Sequence, residues 1–259
     1  MLQEIMDIVR EAGSIVLSAH DVENVTRAKE HNAANLVTAY DEAVQAHLRE
    51  KLTALLPEAD FLGEEGEHDA LTKDWLFIVD PIDGTTNFVR HLNYSNISVA
   101  LAYRGEVRYG VVYNPFVDEM FAAEKGRGAT LNGQPIRVSE RPLGEAIMIC
   151  GSTIYDRSYT DRSFAIMRHL YDRTMDFRRF AAAALDVCQV AAGRADVFFE
   201  CRLSPWDYAA GSLILTEAGG MLTRLDGSAV DPREPGSVWA TNRVCHEAWR
   251  ELPGVNKEY

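Results

Sequence analysis

The segment that most constrains the fold is Trp75-Leu76-Phe77-Ile78-Val79-Asp80-Pro81-Ile82-Asp83-Gly84-Thr85-Thr86. Its opening apolar run has no polar face, so it reads as a strand covered on both sides. Such a strand requires layers above and below it, and it delivers Asp80 and Asp83 close together at its carboxyl end. Like charges so placed repel unless a cation neutralises them. Oxygen donors at a corner of this kind suit a hard cation, Mg²⁺ before Zn²⁺. Pro81 removes a backbone donor and fixes one torsion, which predicts that the chain leaves the strand there; Gly84 permits a swing into a following helix. Backbone N–H groups of Gly84, Thr85 and Thr86 at that helix start favour an anion. Carboxylates beside anion donors are compatible when metal ions lie between them and a phosphate, the layout of metal-assisted phosphoryl transfer. Taken singly, Asp83 could merely cap a helix and Asp80 close a turn.

The rest of the chain supplies the layers. Ile5, Ile8, Val9, Ala12, Ile15 and Val16 share one helical face, and a second helix beginning near Thr38 carries Val44, Leu48, Leu52 and Leu55 before Pro57. Polar, aperiodic Lys29 to Asn35 between them reads as a mobile loop. After residue 96 come short strands, 97–103, 107–113 and 120–123, with a hairpin at Asn132-Gly133, which predict an antiparallel sheet. From Ala146 the pattern alternates: strands at 146–150, 175–180, 196–200 and 238–240, helices at 161–171, 182–192 and 206–218, and a closing helix. This is α/β layering. A change of pattern near Arg141-Pro142 predicts two subdomains, 1–142 with the antiparallel sheet and 143–259 with the α/β part, joined by no linker long enough to make them independent.

Of the 259 residues, 26 are Lys or Arg and 39 are Asp or Glu, a formal charge of −13. That balance leaves no surplus of cations for a nucleic-acid backbone and argues against sequence-independent binding to it. Cys150, Cys188, Cys201 and Cys245 are too far apart for a thiolate zinc clip and read as core residues of a reducing compartment. No stretch has the length and apolarity of a membrane span. The expected location is the cytoplasm. Two further acidic places stand out: Glu64 in the turn Gly63-Glu64-Glu65-Gly66, and Asp207 after Pro205-Trp206 at a predicted helix start.

At this point the motifs resemble a family. Asp80-Pro81-Ile82-Asp83-Gly84-Thr85-Thr86-Asn87-Phe88 is similar to the signature of the inositol monophosphatase family, Trp206-Asp207-Tyr208-Ala209-Ala210-Gly211 to its second signature, and Gly63-Glu64-Glu65 to the acidic turn before the first. Matches run in order from Leu36-Val37-Thr38-Ala39-Tyr40-Asp41 to Thr216-Glu217-Ala218-Gly219-Gly220. The resemblance implies a layered α-β-α-β-α sandwich of the sugar-phosphatase type, a homodimer, and a Mg²⁺-dependent, Li⁺-sensitive phosphomonoesterase with two to three ions per site. It implies that Glu64, Asp80 and the Ile82 carbonyl hold one ion, and that Asp80, Asp83 and Asp207 hold a second, a third leaning on Glu64. The attacking water would be deprotonated with help from Thr85, oriented by Asp41. Substrate would meet Ile82, Asp83, Gly84 and Thr85 beside the metals, the Ala181-Ala182-Ala183 run, Glu200 and Asp207, and the 29–35 loop would be a lid.

Simpler roles exist for several of these residues. Thr38-x-x-Asp41 fits a capping box, Glu200 a solvated edge charge, and Asp207 an N-terminal helix charge. Ala181-Ala182-Ala183 departs from the Gly-Ser-Ala or Gly-Thr-Ala run of many members. Losing the hydroxyl and adding a methyl makes inositol less secure as leaving group, although backbone donors could remain. The expected reaction is hydrolysis of a small phosphorylated polyol or sugar, first inositol monophosphate. Fructose 1,6-bisphosphate, histidinol phosphate and 3′-phosphoadenosine 5′-phosphate are alternatives, and a regulatory partner of the transcription machinery is a rival of another class.

Overall fold

The computed structural model describes residues 1–28, 36–66 and 70–254. The predicted loop and lid, 29–35, lies outside these; the residues on either side of it form a short antiparallel pair. In chain order the first half contains α1 (Leu2–Leu17), β1 (Thr26–Ala28), β2 (Leu36–Thr38), α2 (Ala39–Leu55), β3 (Ala59–Gly63), β4 (Trp75–Asp83), α3 (Thr85–Val89), β5 (Asn96–Tyr103), β6 (Glu106–Asn114), β7 (Glu119–Glu124), β8 (Ala129–Leu131) and β9 (Gln134–Pro135). The second contains β10 (Ile147–Cys150), α4 (Thr160–Tyr171), β11 (Asp176–Arg178), α5 (Ala183–Ala191), β12 (Val197–Leu203), α6 (Pro205–Glu217), β13 (Met221–Thr223) and β14 (Gly236–Thr241), ending in a 3₁₀ segment, His246–Glu251, where a closing helix was predicted.

Strands β3 to β9 form one sheet in sequence order, and the second sheet has the order β11-β10-β12-β14-β13. Helices α1 and α2 bury Ile5, Val9, Val44 and Leu48 against one face of the first sheet. Its other face, carrying Ile78, Ala100 and Val112, shares a core with α5, α6 and the inner face of the second sheet. Ile166 and Leu170 of α4, with Ala248 and Trp249 of the 3₁₀ segment, cover that sheet's outer face, which carries Phe199 and Trp239. The molecule is a mixed α/β protein with layers α-β-α-β-α, as expected from the apolar strands.

Three expectations are corrected. The first sheet is not wholly antiparallel, because β3 pairs parallel with β4. Pro81 does not end β4: the strand continues to Asp83, which pairs with Asn96 across an irregularity between 80 and 83. The reason lies in the neighbour, since β3 ends opposite Val79 and beyond it that edge needs no backbone donor. Glu200 is not on an edge strand, because β12 lies between β10 and β14.

The boundary at residue 142 falls between the sheets, yet the central core draws on both halves. We propose that 1–142 and 143–259 are parts of one folding unit. At Gly110 of β6 a Cβ would stand 2.7 Å from the Ala210 carbonyl of α6, backbone against backbone. Gly110→Ala is therefore expected to destabilise by about 1–3 kcal/mol through overpacking, in a single cooperative transition seen by both calorimetry and circular dichroism.

Asp60 of β3 fixes the approach to β4. Its Oδ2 accepts the Thr72 and Lys73 N–H groups at 2.6 and 2.8 Å, and the Lys73 ammonium lies 3.6 Å from Oδ1. Burial pushes this carboxyl up, but those donors and the ammonium outweigh it and hold the group below the ordinary 3.8. A depressed folded value gives stabilisation that is present above 3.8 and is lost as pH falls through the folded value. Asp60→Asn is expected to cost about 1–3 kcal/mol near neutrality, measured by urea denaturation, with the gap from wild type closing in acid.

Candidate active site

Three elements bring the acidic residues together. Asp80 and Asp83 end β4, Glu64 follows β3, whose last residue pairs with Val79, and Asp207 stands in the first turn of α6. Asp80 is 1% exposed, and its Oδ1 accepts the Ile82 N–H at 3.1 Å, the turn closure foreseen for it. Burial, then Glu64, Asp83 and Asp207, drive its carboxyl well above the ordinary value. Asp207 Oδ2 accepts the Ser204 N–H at 2.7 Å in a capping box; burial, then Asp83 and Glu64, push its carboxyl up as well.

Asp83 does cap a helix, but a distant one. Its Oδ1 accepts the Ala183 N–H at 3.1 Å, and its Oδ2 accepts the Ala184 N–H and the Asn96 amide, both at 2.8 Å. These are the first N–H groups of α5. Burial raises this carboxyl to about 6, with Asn96 and the two N–H groups opposing. The Ala183 donor is therefore spent within the protein, and the expectation that backbone donors of this run stay free for substrate fails at that position.

Asp41 is fully buried and makes two sets of contacts, one to its own helix start and one to Thr85. Its Oδ2 accepts the Thr38 N–H at 2.8 Å and the Thr38 hydroxyl at 2.5 Å, completing the capping box of α2. Its Oδ1 stands 3.2 Å from the Thr85 hydroxyl, which also lies 3.1 Å from the Ile82 carbonyl. One hydroxyl proton serves one acceptor at a time, so Asp41 and Ile82 compete for it. Burial pushes Asp41 up to about 7 against the pull of the Thr38 donors.

Beside these residues lies a cavity of about 200 Å³. Asp83, Ala181, Ala183, Glu200 and Asp207 line it. Ala182 does not: it is fully buried in the central core, close to Gly84. Glu200 Oε1 accepts the Thr153 N–H at 2.7 Å; burial pushes its carboxyl up to about 7 despite that bond. A side chain at Gly151 would meet the Glu200 carboxylate at 2.0 Å, so the glycine makes the room. The cavity also carries Tyr155, Arg179 and Arg202, which sequence reasoning missed because isolated residues between elements leave no pattern.

Among the described residues no three acidic, His or Cys side chains close on one point as a finished metal cage. The donor set nevertheless fits a hard divalent cation: oxygen ligands only, mutually repelling, with Asp80, Asp83 and Asp207 bonded to backbone N–H groups and an amide rather than to a basic side chain.

Fold and site thus define a layered α/β protein with a buried oxygen-donor centre beside a small cleft. The chain belongs to the inositol monophosphatase family, whose model matches residues 1–256. It is 37% identical over 255 residues to the inositol-1-monophosphatase of Rhizobium meliloti, covering 97% of this chain and 95% of that one. It is 36% identical over 229 residues to the Nus factor SuhB of Salmonella typhimurium, covering 88% and 86%. The SuhB crystal structure from Bartonella henselae superposes with a TM-score of 0.89 at 30% identity over 99% of this chain and 98% of that one. An inositol monophosphatase from Thermotoga maritima gives 0.85 at 33% over 97% and 94%. Relatives named as Nus factors leave the charge-based argument against a nucleic-acid partner without support. No helix among the described residues is long and apolar enough to cross a membrane.

Ala181 has φ +63°, a left-handed conformation that costs an alanine about 1–2 kcal/mol. Ala181→Gly is expected to raise stability by about 1 kcal/mol, net of glycine's greater unfolded entropy, read as an increase of about 2–4 °C in Tm.

Proposed function

We propose that the protein is a Mg²⁺-dependent phosphomonoesterase acting on a small phosphorylated polyol or sugar, inositol monophosphate being the substrate to which the family name points. The observation that carries this is the cluster of Glu64, Asp80, Asp83 and Asp207. Its Asp80, Asp83 and Asp207 carboxylates accept from backbone N–H groups and the Asn96 amide, and the cluster stands beside a cleft sized for a small molecule.

In this proposal Glu64, Asp80 and the Ile82 carbonyl hold one ion, Asp80, Asp83 and Asp207 a second, and Glu64 supports a weaker third. Bound magnesium supplies charge neutralisation of the phosphate and activation of water. The residues of the chain do the positioning. The Thr85 hydroxyl, donating to Asp41 Oδ1, presents its lone pairs toward the cleft and takes a proton from the attacking water as it passes its own to Asp41. Asp41 is suited to accept it, because burial lifts its carboxyl to about 7. Glu200, held by Thr153, faces the hydroxyls of the leaving group. Gly84 and Thr85 offer N–H groups to the phosphate, and Li⁺ is expected to compete with the cation.

A homodimer belongs to the same proposal. Edge strand β11 is exposed throughout, and Met175 and Phe177 beside and within it are 62% and 36% exposed, an apolar edge that a second copy would cover.

Asp83→Asn is a poor test, since an amide there would face three donors. Asp80→Asn keeps an acceptor for the Ile82 N–H. It is expected to reduce Mg²⁺-dependent phosphate release more than about a hundredfold while leaving the circular dichroism spectrum and cooperative melting intact; undiminished release would remove the proposal. The Nus factor names support a second role, as a regulatory partner of the transcription machinery. Affinity capture that retains RNA polymerase subunits on both wild type and Asp80→Asn would favour it as separate from catalysis.

A further inference from the structure

The cleft has two walls of opposite charge. Strand β10 runs parallel to both β11 and β12, so three carboxyl ends open on the same side, where ligands of such sheets gather. Ser152 and Thr153 follow β10, Arg179 follows β11, and Glu200 and Arg202 stand on β12, all of them lining the cleft. Glu200 and Arg202 both line the cleft at an irregularity of β12 between 200 and 203, while Cys201 between them is buried in the outer core. The Arg179 Nε donates to Ser152 Oγ at 3.1 Å, which ties the guanidinium to the cleft lining.

Among the described residues no carboxylate lies within 4 Å of either guanidinium, whereas Arg178 and Arg173 nearby bind Asp176 and Glu251. Asp156, whose carboxyl the Ser158 donors and to a smaller extent the Arg202 charge hold low, is engaged by the N–H and hydroxyl of Ser158. On the wall where a polyol would seek hydroxyl partners, Ala181 and Ala183 offer methyl groups. A neutral alcohol would give these guanidiniums only weak acceptors. A carboxylate or phosphate would give charge-assisted, two-point hydrogen bonds.

Building on the phosphomonoesterase proposal, we propose that Arg179 and Arg202 form a subsite for a second anionic group on the alcohol part of the substrate. The preferred ester is then a phosphorylated acid or a bisphosphate, rather than the phosphate of a neutral polyol. The acid cluster takes the scissile phosphate with its cation, and the arginines take the carboxylate or the second phosphate.

The test uses the full chain with Mg²⁺ and three probes: inositol 1-phosphate as the neutral-alcohol ester, 3-phosphoglycerate as the carboxylate and fructose 1,6-bisphosphate as the phosphate. Wild type is expected to show KM lower by about tenfold for at least one charged probe. Arg179→Gln and Arg202→Gln, both at exposed positions where folding is not at stake, are each expected to lower the charged-to-neutral ratio of kcat/KM by about tenfold, chiefly through KM. The arm that loses most tells carboxylate from phosphate. Calorimetric binding of the same probes, read without turnover, separates this subsite from the proposed activity. Phosphate release from all probes with a ratio unmoved by both variants overturns the subsite and leaves the phosphatase standing. Binding of charged probes that both variants weaken, in a wild type that hydrolyses none of the three, upholds the subsite and removes the phosphatase.

Discussion

The carboxylate of Asp83 joins the halves of the molecule at the point where chemistry is proposed to occur. One oxygen accepts the Ala183 N–H and the other the Ala184 N–H and the Asn96 amide. The side chain therefore ties β4 to β5 and to the first turn of α5, whose positive end favours a carboxylate. Gly84 follows at φ +83°, where a side chain would crowd Ala182 and the Tyr94 and Ala181 carbonyls. Asn87 adds bonds to the Tyr94 and Phe180 carbonyls. The cleft wall at Ala181 to Ala183 is thus held from the opposite sheet, and a change at Asp83 would disturb wall and acid cluster together.

That arrangement has an electrostatic cost. Asp80, Asp83 and Asp207 are withdrawn from water near one another, and each carboxyl is driven up first by burial. Like charges so held destabilise the apo protein unless they are protonated or meet a cation. The excess of acid over base in the sequence is therefore not spread evenly. Part of it is concentrated where an anionic ester could approach only after a cation had reversed the local sign. Arg179 and Arg202 offer the opposite charge on the outer wall, which gives the cleft a polarity from end to end.

Much of this was legible in local patterns. The apolar run 75–79 marked β4, Thr38 and Asp41 marked the start of α2, and Asp207 marked the first turn of α6, because strand burial and helix capping depend on neighbours in the chain. What depends on distant segments was not legible. Pro81 remains in a strand because β3 has already ended beside it, and Asp83 caps a helix 100 residues away. Strands β3 and β13, each short, were passed over for want of alternation. Tyr155, Arg179 and Arg202 gain meaning only when three parallel strands bring their carboxyl ends together. The length of β11 was overestimated because exposed apolar residues around it, Met175 and Phe180, resemble strand interior in sequence.

The central claim is that the buried carboxylates form a site whose repulsion a divalent cation relieves. The most direct measurement is thermal unfolding of the wild-type protein at neutral pH as Mg²⁺ is titrated, with monovalent salt matched to hold ionic strength constant. Binding to the folded state alone must raise Tm with cation concentration in the manner of linkage. The expected result is a progressive, Mg²⁺-specific rise that Asp80→Asn diminishes. A Tm indifferent to Mg²⁺, or a rise of equal size in Asp80→Asn, would contradict the account.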